Sequence, residues 1–366
     1  MKNKGLLGNT NYTILIVFVS ILLIGCQPDF RPRLNDIQII GSHNSYKTGI
    51  QPELWNIIFE KDSIMALELD YEHISLTDQL NLGLRNLEID VLHDPVGGRY
   101  ASPKGQHLIT EAGGQPDAFD VNKKMYVPGL KVLHVQGLDF RSNCFLFKDC
   151  LKEIKMWSNS NDTHIPIIIT INTKQDEIDV EGSIKPLKFD SMALDSIDLE
   201  ILSVIGRDKL ITPDFVREKG KTLEETILSK GWPALDQCRG KFMFILDQGG
   251  KIRDLYLADH PSLQNRIMFS TTPAGSPESS FLIINDPISE AERIKDLVRK
   301  GYMVRTRADA GTWEARNEDY RRFNAALKSG AHVITTDYYL ADKGIGSNYK
   351  ISFDEGEFFR LNPFTP

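Results

Sequence analysis

The stretch Ile165-Pro166-Ile167-Ile168-Ile169-Thr170-Ile171-Asn172 decides the fold class. It is apolar almost to its last residues, as a strand must be when both of its faces are covered. Seven further short β-rich runs recur along the chain, over 37–43, 86–93, 131–135, 242–247, 267–272, 303–309 and 332–338. Helical patterns separate many of them. Residues 149–157, 196–205, 223–229 and 289–300 qualify, and so does 317–329, where Tyr320, Phe323 and Leu327 share one face. Gly231, Gly301 and Gly330 stand where helices should stop. Eight strands alternating with helices predict an α/β fold, a distorted TIM (β/α)8 barrel in a single domain. An open doubly wound sheet is the alternative, but no glycine-rich phosphate loop follows the first strand.

The N-terminus reads differently. Lys2 and Lys4 precede an apolar run over 14–24 that is short for a membrane span and ends in Leu23-Ile24-Gly25-Cys26. This resembles a bacterial lipoprotein signal. Residues 1–25 are therefore expected to be a signal peptide, Cys26 the lipidated residue, 26–35 a tether and 36–366 the barrel domain. The expected location is the cell envelope, with the exported chain anchored to a membrane. Export makes a disulfide between Cys144 and Cys150 plausible. Cys238 has no evident partner and reads as a core residue.

The 366-residue chain is 41% hydrophobic and 25% charged, ordinary globular material, with a formal charge of −7. Loss of the leader with its two lysines makes it more acidic still. Such a surface excludes nucleic acid as a partner, and an anionic substrate must be held by local charges. Polar residues gather where barrel enzymes place their chemistry, at the carboxyl ends of strands. His43 and Asn44 end the first run, and Glu88 and Asp90 share one face of the second. His134 lies in the third, Asn172 and Lys174 close the fourth, Arg305, Arg307 and Asp309 alternate along the seventh, and Asp337 lies in the eighth.

The order of these motifs resembles phosphatidylinositol-specific phospholipase C, in particular its calcium-dependent bacterial branch. The resemblance rests on Ile39-Ile40-Gly41-Ser42-His43-Asn44-Ser45-Tyr46, Gly83-Leu84-Arg85-Asn86-Leu87-Glu88-Ile89-Asp90, Val132-Leu133-His134 and Pro166-Ile167-Ile168-Ile169. The C-terminal block from Val304-Arg305-Thr306-Arg307-Ala308-Asp309 to Thr336-Asp337-Tyr338-Tyr339 is similar too, and the likeness spans nearly all of 36–340.

The resemblance implies cleavage of a phosphatidylinositol-type diester to diacylglycerol and a cyclic inositol phosphate. It implies His43 and His134 as acid and base, with His134 the acid and Asp337 orienting His43. Asn44, Glu88, Asp90 and Asn172 are the implied calcium ligands. The fourth family ligand is usually a glutamate, so Asn172 should weaken the site. Lys174, Arg305, Arg307 and Asp309 are the implied substrate contacts. The expected partners are a phospholipid or inositol phosphodiester and the membrane that holds the anchor, and a monomer is expected. A glycerophosphodiester phosphodiesterase ranks second, because its first motif would read His-Arg-Gly where this chain has His43-Asn44-Ser45. A non-catalytic surface-binding lipoprotein is the third reading, and such a binder has no need of converging histidines and acids.

Overall fold

The computed structural model describes Met1 and residues 31–342 and 344–364. The expected lipidation site Cys26 and nearly all of the expected signal segment lie outside them. Residues from Pro32 onward form one compact unit. Leu34 is fully buried in it and the Leu235 amide donates to the Pro32 carbonyl at 2.7 Å, so the body takes in residues 32–35 of the expected tether.

Ten strands build one sheet: β1 (Ile37–Ser42), β2 (Asn86–Val91), β3 (Ile167–Thr173), β4 (Leu210–Ile211), β5 (Phe242–Leu246), β6 (Phe269–Ser270), β7 (Phe281–Ile283), β8 (Met303–Arg307), β9 (Val333–Thr336) and β10 (Phe359–Leu361). Its order is β4-β5-β3-β2-β1-β9-β8-β7, parallel throughout. Along β5, β4 pairs with the first residues and β6 with the last. A single bridge from Thr271 to Phe281 then links the β6 end to β7 and curls the sheet into a distorted barrel. Antiparallel β10 lies against the first half of β1. Where β1 and β2 meet, a Cβ on Gly41 would come 2.5 Å from Asn86 Cβ, so only glycine lets these strands approach.

The two faces of the strands have separate tasks. Leu87, Ile89 and Val91 of β2 and Ile169 and Ile171 of β3 join one apolar cluster with Phe147, Leu151 and Ile154 of the helix Phe147–Ser160. The alternate residues carry the polar groups, and the parallel register sets Glu88 beside Thr170 and Asp90 beside Asn172.

The expected helices are present, most of them with shifted ends: Phe147–Ser160, Ser191–Ile205, Leu223–Ser229, Ala291–Lys300 and Arg321–Ser329. One expected strand is not. Residues 131–135 form only isolated bridges, Lys131 to Leu92 and Leu146, and Val135 to Asp139. This segment forms an arm outside the ladder, and Lys131, fully buried, is held at its root by Asp94 at 3.0 Å. The barrel is completed instead by β7, whose three residues give too short a run to stand out.

Cys144 and Cys150 are disulfide-bonded, which ties the end of the His134 arm to the first turn of helix Phe147–Ser160. The bond closes a small loop, with a sequence separation of 6. Replacing both cysteines by serine should therefore cost about 2 kcal/mol of stability. Urea denaturation of the variant and parent measures it, and an unchanged midpoint would show that the arm needs no staple.

Candidate active site

The barrel collects its polar side chains at the carboxyl ends of the strands, and His43 is the hub. His43 follows β1 directly. Its Nδ1 lies 2.9 Å from Asp337 Oδ1, just past β9. A carboxylate only accepts, so Nδ1 carries the proton and Nε2 presents its lone pair. Arg307 lies alongside the ring, with Nη1 3.4 Å from Nε2 and Nη2 3.4 Å from Nδ1, and Glu88 Oε1 is 3.6 Å from Nε2. Burial, followed by the Arg307 charge, lowers the His43 pKa below its ordinary 6.5, against the opposing pull of Asp337 and Glu88.

Asp337 is buried, which by itself would raise its pKa. The charge of His43 and its hydrogen bond, His73 Nε2 at 3.8 Å and the charge of Arg307 reverse this and hold the carboxyl well below the usual range. Arg307 Nη2 donates to Asp337 Oδ2 at 3.1 Å. The Asp337 amide donates to Asp309 Oδ1 at 2.9 Å, and Thr336 Oγ1 donates to Asp309 Oδ2. Asp309 is thus placed behind Asp337 rather than toward a substrate. Burial and the Asp337 charge push it up to about 7.

His134 is bound in the same manner as His43, its Nδ1 lying 2.8 Å from Asp139 Oδ2. Asp139 is fully buried and its other oxygen finds no partner. Lys47 Nζ is 3.5 Å from Asp139 Oδ2 and 4.4 Å from the centre of the Tyr71 ring. The Tyr71 ring centre lies 6.3 Å from that of His43, and its hydroxyl accepts from Asn44 Nδ2 at 2.7 Å. Lys47 and Tyr71 thus connect the surroundings of the two histidines. His73 supports the first of them, its Nε2 donating to the His43 carbonyl at 2.7 Å.

The acidic pair of β2 is not left free. Glu88 Oε2 accepts from Arg305 Nη2 at 2.6 Å. Asp90 Oδ2 accepts from Tyr46 Oη at 2.8 Å and is 2.9 Å from Lys174 Nζ. Asn172 Oδ1 accepts from Gln248 Nε2 at 2.6 Å. Asp247, immediately after β5, joins this group electrostatically: burial, then Glu88 and Asp90, raise it to about 6 against Arg305 and Lys174. All the oxygen donors here are hard, and Asp90 Oδ1 is buried without a hydrogen-bond partner. That chemistry fits a divalent cation such as calcium. Among the described residues, however, no three acidic, histidine or cysteine side chains converge as a metal cluster, since Arg305 and Lys174 occupy the carboxylates.

The strand-end reading of the sequence points to His43, Glu88, Asp90, Arg305, Arg307 and Asp337, which the structure brings together. Arg305 faces Glu88 and Asn285 rather than an opening, and it is almost wholly buried. Asp139, Lys47, Tyr71 and His73 carried no strand signal, because they lie on connections. Asp247 did carry one, as the acid that ends an apolar run.

The parallel barrel thus carries two imidazole–carboxylate pairs, and Arg307 and Lys174 stand beside acids near the ends of its strands. A sequence model of the family described as phosphoinositide phospholipase C, Ca2+-dependent, matches residues 32–363. The chain belongs to that family, and it is an enzyme of the phosphodiesterase type. Among solved structures it is similar to the calcium-dependent phosphoinositol-specific phospholipase C of a Pseudomonas species. The identity is 15%, the TM-score 0.54, and the match covers 90% of this chain and 96% of that one. The calcium-dependent phosphatidylinositol-specific phospholipase C of Streptomyces antibioticus matches at 17% identity and TM-score 0.52, over 84% of this chain and 95% of the other. Both likenesses establish the distorted barrel. No curated protein matches the chain.

Because the Arg307 charge lowers the His43 pKa, Arg307→Leu should raise it. An NMR titration of the imidazole signals reads this directly. A His43 midpoint that stays put or moves down would contradict the electrostatic assignment.

Proposed function

We propose that the chain cleaves phosphatidylinositol-type phosphodiesters by proton transfer between two histidines. The 2-hydroxyl of the inositol attacks the adjacent phosphorus as its proton passes to His43 Nε2. The bond from phosphorus to the glycerol oxygen breaks, and that oxygen takes a proton from His134 Nε2. Diacylglycerol and the cyclic inositol phosphate are the products, and water opens the cyclic diester with the roles of the histidines reversed. The observation that carries this reading is the matched pair of dyads, His43–Asp337 and His134–Asp139, each with Nδ1 held by a buried carboxylate. Holding Nδ1 fixes the tautomer and leaves Nε2 free for proton transfer. A lowered His43 pKa keeps that ring neutral near pH 7, as a base must be. Arg307 and Lys174 are the cations placed to receive phosphoryl oxygens.

Calcium belongs to the proposal: the side-chain oxygens of Asn44, Glu88, Asp90 and Asn172 would hold it, with Asp247 the further carboxylate nearby. When bound, it supplies positive charge to the phosphoryl group. Its affinity is set against the Lys174–Asp90 and Arg305–Glu88 ion pairs. The proposal also includes export and attachment through a lipid on Cys26, which would hold the enzyme at the membrane containing its substrate.

The leaving group separates the two histidines. His43→Ala and His134→Ala should each lose about 10²–10⁴-fold in turnover of the lipid. An aryl inositol phosphate, whose leaving group departs with little protonation, should be cleaved by His134→Ala with a much smaller loss. His43→Ala should fail on both substrates. Equal losses on the two substrates for His134→Ala would contradict its role as acid, and full activity in either variant would remove the mechanism.

Lys174 provides the test of the metal. Lys174→Met frees Asp90 and should tighten calcium binding in calorimetry, as should Asn172→Glu, which adds a carboxylate. Asp90→Asn should abolish the binding heat. If Asp90→Asn binds calcium like the parent, these residues are not its ligands.

A further inference from the structure

Lys47 stands in the connection that leaves β1, and its side chain is fully buried. A lysine is almost never taken wholly out of water unless a partner holds it. Here the ammonium meets three groups. Nζ donates to the Tyr71 carbonyl, lies 3.5 Å from Asp139 Oδ2 and stands 4.4 Å from the centre of the Tyr71 ring. Among the described residues the ion-pair partners of Asp139 are Lys47 and His134, and both meet the same oxygen.

The backbone fixes this meeting from two sides. Lys47 forms an antiparallel bridge with Ser142, and the Asn143 amide donates to the Tyr46 carbonyl at 2.7 Å. The His73 amide donates to the Lys47 carbonyl at 2.9 Å. His134 and Asp139 flank a turn closed by the Val135–Asp139 pair, in which each amide donates to the other's carbonyl at 3.0 Å. The fold itself therefore delivers the ammonium to the carboxylate.

Proton release by His134 makes a demand that this arrangement meets. In the proposed reaction the imidazolium gives its Nε2 proton to the glycerol oxygen and becomes neutral. Asp139 then loses one of its two cations while it stays buried, and an unpaired buried carboxylate is costly. Lys47 remains, so Asp139 is compensated before and after the transfer. Before it, the shared oxygen weakens the hold of Asp139 on the imidazolium. The His43 dyad is built alike, with Arg307 Nη2 3.1 Å from Asp337 Oδ2. One difference separates the two cations. The side chains of Arg307 and His134 are 15% and 16% exposed and that of Lys47 is 0%, so Lys47 reaches the substrate only through Asp139 and His134.

We propose that Lys47 is a positioning residue for the general acid. It keeps Asp139 ionised and aimed at His134 Nδ1, so that the second dyad is a Lys47–Asp139–His134 triad. The proposal rests on the phosphodiester reaction given above and assigns the residue that lets His134 surrender its proton.

Lys47→Met keeps the length of the side chain and removes the charge. Its kcat on phosphatidylinositol should fall by about tenfold or more at an unchanged KM. The loss should be much smaller on an aryl inositol phosphate, whose leaving group departs without an acid. Added to His134→Ala, Lys47→Met should cost nothing further on the lipid. Nitrogen-15 NMR, at a pH where the ring is neutral, supplies a readout independent of turnover. His134 should carry its proton on Nδ1 in the parent and shift toward Nε2 in Lys47→Met, because a protonated Asp139 donates where the carboxylate accepted. Should Lys47→Met fail to fold, Asp139→Asn and Lys47→Met/Asp139→Asn give the comparison, since the double variant leaves neither charge unpaired. Equal turnover in these two is expected, and a further loss in the double variant overturns the proposal. Equal losses of Lys47→Met on lipid and aryl substrates overturn it too, as does an unchanged His134 tautomer. A parent that cleaves neither substrate, while the tautomer shifts as expected, instead overturns the reaction and leaves the triad in place.

Discussion

A carboxylate buried at the end of β9 must be neutralised, and the way Asp337 is neutralised organises the mouth of the barrel. Isolated in a low-dielectric site it would take up a proton. Here His43, His73 and Arg307 surround it and keep it ionised. Each of those partners is oriented in return: His43 presents Nε2, and Arg307 lies along the imidazole. Asp309 completes the arrangement by accepting the Asp337 amide, which fixes the backbone that aims the carboxylate. Loss of Asp337 would strand Arg307 and Asp309 together with His43, so its effect should spread through the whole rim.

The same accounting explains which acids hold protons. Glu88, Asp90 and Asp337 each have a cation within 3.1 Å. Among the described residues Asp247 and Asp309 have no ion pair of their own, and they are raised to about 6 and about 7. Burial acts on Glu88, Asp337, Asp247 and Asp309 alike. The difference is the paired cation.

The strand rhythm and the strand-end acids were legible in the sequence because both follow from the pleat: alternate residues face alternate sides, and a parallel barrel buries one side in helices. Glu88 and Asp90, or Arg305 and Arg307, declare a shared face by their spacing alone. The arm over 131–135 misled for the same reason. Lys131-Val132-Leu133-His134-Val135 has the length and composition of a strand, yet Lys131 is anchored on Asp94 and the segment departs from the ladder. The second dyad was half legible. His134 stood in a motif, but Asp139 approaches it through a turn closed by the Val135–Asp139 bridge, and no periodicity announces a turn partner.

Charge balance also bears on the role of a metal in the proposed reaction. Glu88, Asp90 and Asp337 stand against Arg305, Lys174 and Arg307 in three ion pairs, so these cations are already engaged before any substrate arrives. A phosphodiester brings one negative charge into this balance and develops more as the 2-hydroxyl attacks. Arg307 and Lys174 can turn toward it only by loosening Asp337 and Asp90, which costs part of what they would contribute. A divalent cation held by Asp90 would relieve that conflict, because Asp90 would stay compensated while Lys174 turned to the phosphoryl oxygens. In the proposed reaction Lys174 and calcium would therefore compete for Asp90 before the diester binds and act together afterwards.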